Sequence, residues 1–171
     1  MASDKKVYGK TSIKKENIMK TKKILKLLTI SLALMVSPLA YADGDLSRAD
    51  IKTVVLEMGT NDDGRMYFTP SHLKLKTGQA YKIVLKNVDK VKHEVEANEF
   101  ADKIFTRKVE IKDSKGGLVA EIKGNVREVE IGPNTQVEWF VVPVQTGTEM
   151  EMVCALPGHK EAGMHGLITV E

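Results

Sequence analysis

The chain has 171 residues, 42% of them hydrophobic and 29% charged, with a single cysteine that excludes an internal disulfide. Its length predicts one domain, and no repeat or low-complexity segment interrupts it. The formal net charge of +3 would point to a nucleic-acid partner, but 9 of the 26 basic and 2 of the 23 acidic residues fall in residues 1–42; the remainder carries 17 against 21, net −4, and that partner is excluded.

Residues 1–18 are polar, basic and unpatterned, and read as an upstream extension or a start-site artefact. From Met19 a basic stretch (Lys20, Lys22, Lys23) leads into an apolar run at 27–36, then Pro38 and the small-residue site Ala40-Tyr41-Ala42. This is the pattern of a secretory signal peptide over 19–42, cleaved after Ala42. The apolar run is too short to span a bilayer. The expectation is therefore export to the periplasm, no stable membrane insertion after cleavage, and a domain at 43–171. Its 129 residues are enough to enclose one hydrophobic core. In an oxidising compartment cysteines come in pairs, so the unpaired Cys154 calls for intermolecular pairing, a reactive site or metal ligation.

Within 43–171 the strand signals are short and frequent. Residues 51–58 (IKTVVLEM) are β-rich and end in the turn cluster 59–64; 66–68 is a short extended piece before Pro70; 72–76 (HLKLK) alternates and stops at Thr77-Gly78. Residues 80–86 alternate again, with Tyr81, Ile83 and Leu85 on one face, and 87–92 form a polar connection to His93. Apolar pairs at i, i+4 over 98–105 predict a short helix. Residues 107–111 and 118–122 read as strands around the turn Lys115-Gly116-Gly117, 126–131 as an alternating strand, and 136–142 (QVEWFVV) as the most apolar strand, with Trp139 in the core. In 147–153 Met150 and Met152 share a face with Cys154 while Glu149 and Glu151 share the other, so the cysteine points inward. A last strand covers 166–170. Seven to eight strands and little helix predict an all-β antiparallel sandwich or barrel.

The densest chemistry is the stretch CALPGHKEAGM, 154–164. A strand delivers Cys154 to the rim of the core, Pro157-Gly158 turns the chain to present His159, and Gly163 precedes Met164. His93 lies 61 residues before the cysteine. Two imidazoles, a thiolate and a thioether form a soft donor set that suits copper better than magnesium, calcium or manganese. Three alternatives stand beside this reading. One is a buried free cysteine next to an unrelated loop. Zinc is another, although it favours more cysteines or carboxylates and takes thioether poorly. A catalytic cysteine–histidine pair is the third, with no orienting residue evident. Met150 and Met152 fit core packing better than transient Cu(I) binding. His165 reads as a surface residue and His72 as solvent-facing at a strand edge.

Cys154-x4-His159-x4-Met164 before a C-terminal strand, with an upstream histidine after an alternating strand and Asn87, resembles the cupredoxins, the small blue copper proteins such as azurin and plastocyanin. The resemblance implies a Greek-key β-sandwich and one copper ion in a type 1 site. His93, Cys154 and His159 would be its trigonal ligands and Met164 its long axial ligand. Two positions depart from the pattern. Glu94 stands where azurin and plastocyanin carry an asparagine that ties the two ligand loops together, and Lys92 where azurin carries a glycine. The resemblance further implies a monomer carrying single electrons by Cu(II)/Cu(I) cycling. A redox partner, a cytochrome or a copper enzyme, would dock transiently near His159, on an apolar patch of Ala155, Leu156, Pro157, Ala162 and Gly163. The alternative is a copper-binding protein for copper tolerance or delivery. An enzyme is not expected, because 129 residues leave no room for the further copper sites of multicopper oxidases and nitrite reductases.

Overall fold

The computed structural model describes residues 50–171; the expected upstream extension at 1–18 and signal peptide at 19–42 lie outside the described residues. Residues 50–171 form a β-sandwich of two sheets with one short helix. Seven strands run five residues or longer: β1 (Lys52–Thr60), β4 (Tyr81–Asn87), β6 (Ile104–Lys112), β7 (Leu118–Ile122), β9 (Gln136–Pro143), β10 (Gly147–Val153) and β11 (His165–Val170). Four-residue segments complete the sheets: β2 (Met66–Thr69), β3 (His72–Leu75), β5 (His93–Glu96) and β8 (Glu128–Ile131). One sheet has the order β2-β1-β4-β9-β6-β7 and the other β3-β11-β10-β5-β8.

Alternation decides which side chains enter the core. On β4 Tyr81, Ile83 and Leu85 are buried, and on β9 Val137, Trp139 and Val141. Both strands lie in the middle of their sheet, so their outer faces are largely covered too, and Val84 and Glu138 are also buried. Glu138 is tolerated there because Lys82 and Lys112 reach its two carboxylate oxygens at 3.3 and 2.6 Å. Trp139 fills the space between the sheets, its Nε1–H donating to Thr106 Oγ1 (3.2 Å) and its ring meeting Phe100 edge-on at 5.9 Å.

Three expectations are corrected. Helix α1 covers only Asn98–Asp102, a single turn that buries Phe100 and Ala101. Ile104 and Phe105 belong instead to β6, and Phe105 is 54% exposed. Their spacing mimics a helical face, but pairing with Pro143 and Val142 of β9 overrides it. Second, the sandwich is not wholly antiparallel: β1 pairs with β4, and β3 with β11, in parallel. After β2 folds back on β1, the chain crosses to the other sheet as β3 and returns as β4, so β4 runs alongside β1 in the same direction. A parallel pair requires such a crossover. Third, His72 is half-buried rather than solvent-facing, its Nε2 lying 2.8 Å from Thr169 Oγ1 on β11.

Candidate metal centre

The site begins with β10. Met150, Met152 and Cys154 all have zero exposure, as their alternation with Glu149 and Glu151 predicts. Beyond Cys154 the chain folds into tight turns: His159 N–H donates to Leu156 O (3.1 Å), Ala162 N–H to Gly158 O (3.0 Å) and Met164 N–H to His159 O (3.0 Å). Cys154 N–H closes the loop onto Met164 O (3.1 Å). Gly163 has φ 105, and a Cβ there would meet Arg65 Cγ at 3.1 Å and Met66 O at 3.2 Å. Glycine is thus required on both conformational and steric grounds. Met66 N–H donates to Ala162 O (3.0 Å), fastening the loop to β2.

β5 brings the second segment. His93 is its first residue and is fully buried, and β10 pairs with β5 at Val153 and Glu96. His93 Nδ1 lies 3.2 Å from His159 Nδ1, and Cys154 Sγ lies 3.2 Å from the same His159 atom. One donor atom from each of His93, Cys154 and His159 falls within 4.8 Å of the others. Three lone-pair atoms converging at this spacing suit ligands about 2.0–2.3 Å from one ion. Met164, the fourth expected residue, is fully buried and joined through its backbone to both Cys154 and His159. The structure therefore brings His93, Cys154 and His159 together at their side chains, and Met164 to the same loop. His165 is exposed, as expected.

Two residues that sequence reasoning left without a role complete the surroundings. Asp89 Oδ2 accepts from Thr60 Oγ1 and lies 3.1 Å from His93 Nε2, while Oδ1 accepts from Lys90 N–H at 2.6 Å. Thr60 above all, then His93, hold the Asp89 carboxyl down at about 2. An ionised carboxylate only accepts, so His93 Nε2 carries the proton and Nδ1 is left with a free lone pair. An acid four residues before a histidine is the signal that could have found this pair. Asn87 fixes the turn that carries Asp89, donating through Nδ2 to Val91 O, Ile131 O and Gly132 O and accepting Asp89 N–H.

Glu94 is the other. Its N–H donates to Cys154 Sγ (3.3 Å), while burial above all, then Glu128, pushes its carboxyl above the ordinary range. At this departure from the asparagine pattern, the backbone of the residue joins β5 to the cysteine-bearing segment. Lys92 reaches outward to Glu130 at 2.8 Å.

Burial pushes the Cys154 thiol above its ordinary range, with the Leu156 and Glu94 backbone N–H groups opposing the shift. Burial also lowers His159, with His93 adding to the effect. The protein groups around the pocket thus favour uncharged donors. A soft cation that displaces the thiol proton fits two imidazole nitrogens and a sulfur. A hard cation does not, because the nearest carboxylate to His93, that of Asp89, is already committed.

The sequence pattern of the copper-binding proteins of the plastocyanin/azurin family matches residues 54–171. The copper-resistant cuproprotein CopI of Pseudomonas aeruginosa is 25% identical over 134 residues, covering 63% of this chain and 72% of that protein. Among solved structures, the copper nitrite reductase of Nitrosomonas europaea aligns with a TM-score of 0.56 and 14% identity over 76% of this chain and 52% of that one. The multicopper oxidase McoA of Aquifex aeolicus aligns with a TM-score of 0.54 and 15% identity over 71% of this chain and 29% of that one. This chain spans about half of the reductase and under a third of the oxidase, and these likenesses concern the fold alone.

Proposed function

Because the chain belongs to the plastocyanin/azurin family of copper-binding proteins, we propose that it holds one copper ion in a type 1 site and serves copper tolerance in an exported compartment. The ligands would be His93 Nδ1, Cys154 Sγ, His159 Nδ1 and, more weakly, Met164. The observation that carries the reading is the convergence of the three N and S atoms within 4.8 Å on two segments of a rigid sandwich. Bound copper would supply one-electron chemistry, Cu(II)/Cu(I). Asp89 fixes the tautomer of His93, the Glu94 and Leu156 N–H groups stabilise the thiolate, and burial of Met164 and Cys154 keeps water from the sulfur donors.

The tolerance role is favoured by the Pseudomonas aeruginosa relative, a copper-resistant cuproprotein aligned over most of both chains. The leader pattern at 19–42 supports export to the periplasm, and no helix among the described residues is long and apolar enough to cross a membrane. The chain acts as a monomeric copper binder rather than an enzyme in this reading.

Electron carriage is the second reading, favoured by donors held within 4.8 Å of one another on two segments of a sandwich, which would limit rearrangement between oxidation states. His159 is half-buried beside exposed Ala155 and Pro157. A redox protein would dock there transiently. A deletion strain separates the two. Copper sensitivity that the wild-type gene reverses and a Cys154→Ser gene does not, with respiration intact, is expected; normal copper tolerance with impaired respiration would overturn the tolerance role in favour of electron carriage.

A further inference from the structure

The outer face of the β5–β8 ladder carries four carboxylates. The register places Glu94 opposite Glu130 and Glu96 opposite Glu128. Like charges facing each other across two strands destabilise a sheet, so this block needs compensation. Glu130 has it: Lys92 Nζ lies 2.8 Å away. Among the described residues, no Lys, Arg or His side chain pairs with Glu94, Glu96 or Glu128. Each of these three instead offers an oxygen within 4.8 Å of the other two. Glu94 is only 5% exposed, and its Oε1 is buried without any hydrogen-bond partner. A buried carboxylate oxygen left without a donor is costly to keep, and in a cluster of three carboxylates a cation satisfies it.

We propose that Glu94, Glu96 and Glu128 bind a hard divalent cation of the calcium class, at a site distinct from the nitrogen-and-sulfur centre. Carboxylate oxygens are the donors such cations take. Magnesium demands a near-ideal octahedron, whereas calcium accepts unequal, partly bidentate carboxylates completed by water, which suits three glutamates fixed by the pleat of two strands. The site sits behind the ligand loop. Glu94 donates its N–H to Cys154 Sγ, so a cation on its carboxylate pins the residue that joins β5 to the cysteine. The inference goes beyond the copper reading and stands or falls separately from it.

Titration calorimetry of the folded, copper-free protein with CaCl2 at neutral pH and fixed ionic strength tests it. One Ca2+ per chain is expected, with a Kd of about 10⁻⁴–10⁻³ M, the range of extracellular calcium modules. Glu96→Gln and Glu128→Gln, each with a fold checked by circular dichroism, should weaken binding roughly tenfold or more by removing a ligand charge. No heat of binding up to about 10 mM Ca2+, well above that range, would overturn the proposal and indicate that Glu94 and Glu128 share a proton instead. Binding that survives both glutamine substitutions would overturn it equally.

Discussion

Removing one negative charge behind His93 gives the sharpest test of how the site is supported. Asp89→Asn keeps the shape of the side chain and abolishes its ionisation. In the folded protein Thr60 first, then His93 and the Lys90 N–H, lower the Asp89 carboxyl from its ordinary 3.8 to about 2. That difference corresponds to about 2 kcal/mol of preference for the ionised form. The side chain is 17% exposed, so solvent screening leaves most of it in place. The folded-state value is depressed, so this stabilisation is fully present above 3.8 and disappears as the pH falls towards 2. Urea unfolding of the copper-free protein should therefore show Asp89→Asn less stable by about 2 kcal/mol at neutral pH. The gap should hold steady down to about pH 5 and close between about pH 4 and pH 2. Copper affinity, measured by competition with a chelator, should fall by roughly 10–100-fold, as for other partners that orient a metal-bound histidine. Equal stability at neutral pH, or a gap that widens in acid, would refute the reasoning.

Gly166→Ala probes the packing beneath the loop: its Cβ would lie 2.5 Å from Met152 Cε and 2.6 Å from Ser71 O. Backbone cannot yield as a side-chain end does, so denaturant unfolding should show a loss of about 1–3 kcal/mol; an unchanged midpoint would count against this packing. Copper binding should also release a proton. The thiol of Cys154 is held protonated by burial and His159 is held neutral, so near neutral pH the ion displaces about one proton per chain, from sulfur. Calorimetry in buffers of different ionisation enthalpy reads this number, and affinity should weaken as the pH falls; no proton release would contradict the assignment of Cys154 as a ligand.

Much of the fold was legible because period-2 alternation reports burial directly. Tyr81, Ile83 and Leu85 face the core, and Met150, Met152 and Cys154 face it together. The loop was legible because its donors sit close in sequence, and His93 because its strand and Asn87 precede it. What escaped is what no local pattern encodes. The parallel pairing of β1 with β4 depends on a crossover through the other sheet, and the strand fate of Ile104 and Phe105 is decided by β9. Asp89 supports His93 only because Asn87 and Thr60 fix the turn around it. Glu94 reads in sequence as a departure, yet its backbone N–H reaches Sγ whatever its side chain.

The most direct test of the central claim is the visible absorption spectrum of the purified protein after addition of Cu(II). A copper ion held by Cys154 between His93 and His159 predicts one equivalent bound and an intense thiolate-to-copper band in the visible. That band should be lost in Cys154→Ser and bleached by a reductant. A colourless protein that takes up zinc as readily as copper, or a band that persists in Cys154→Ser, would contradict it.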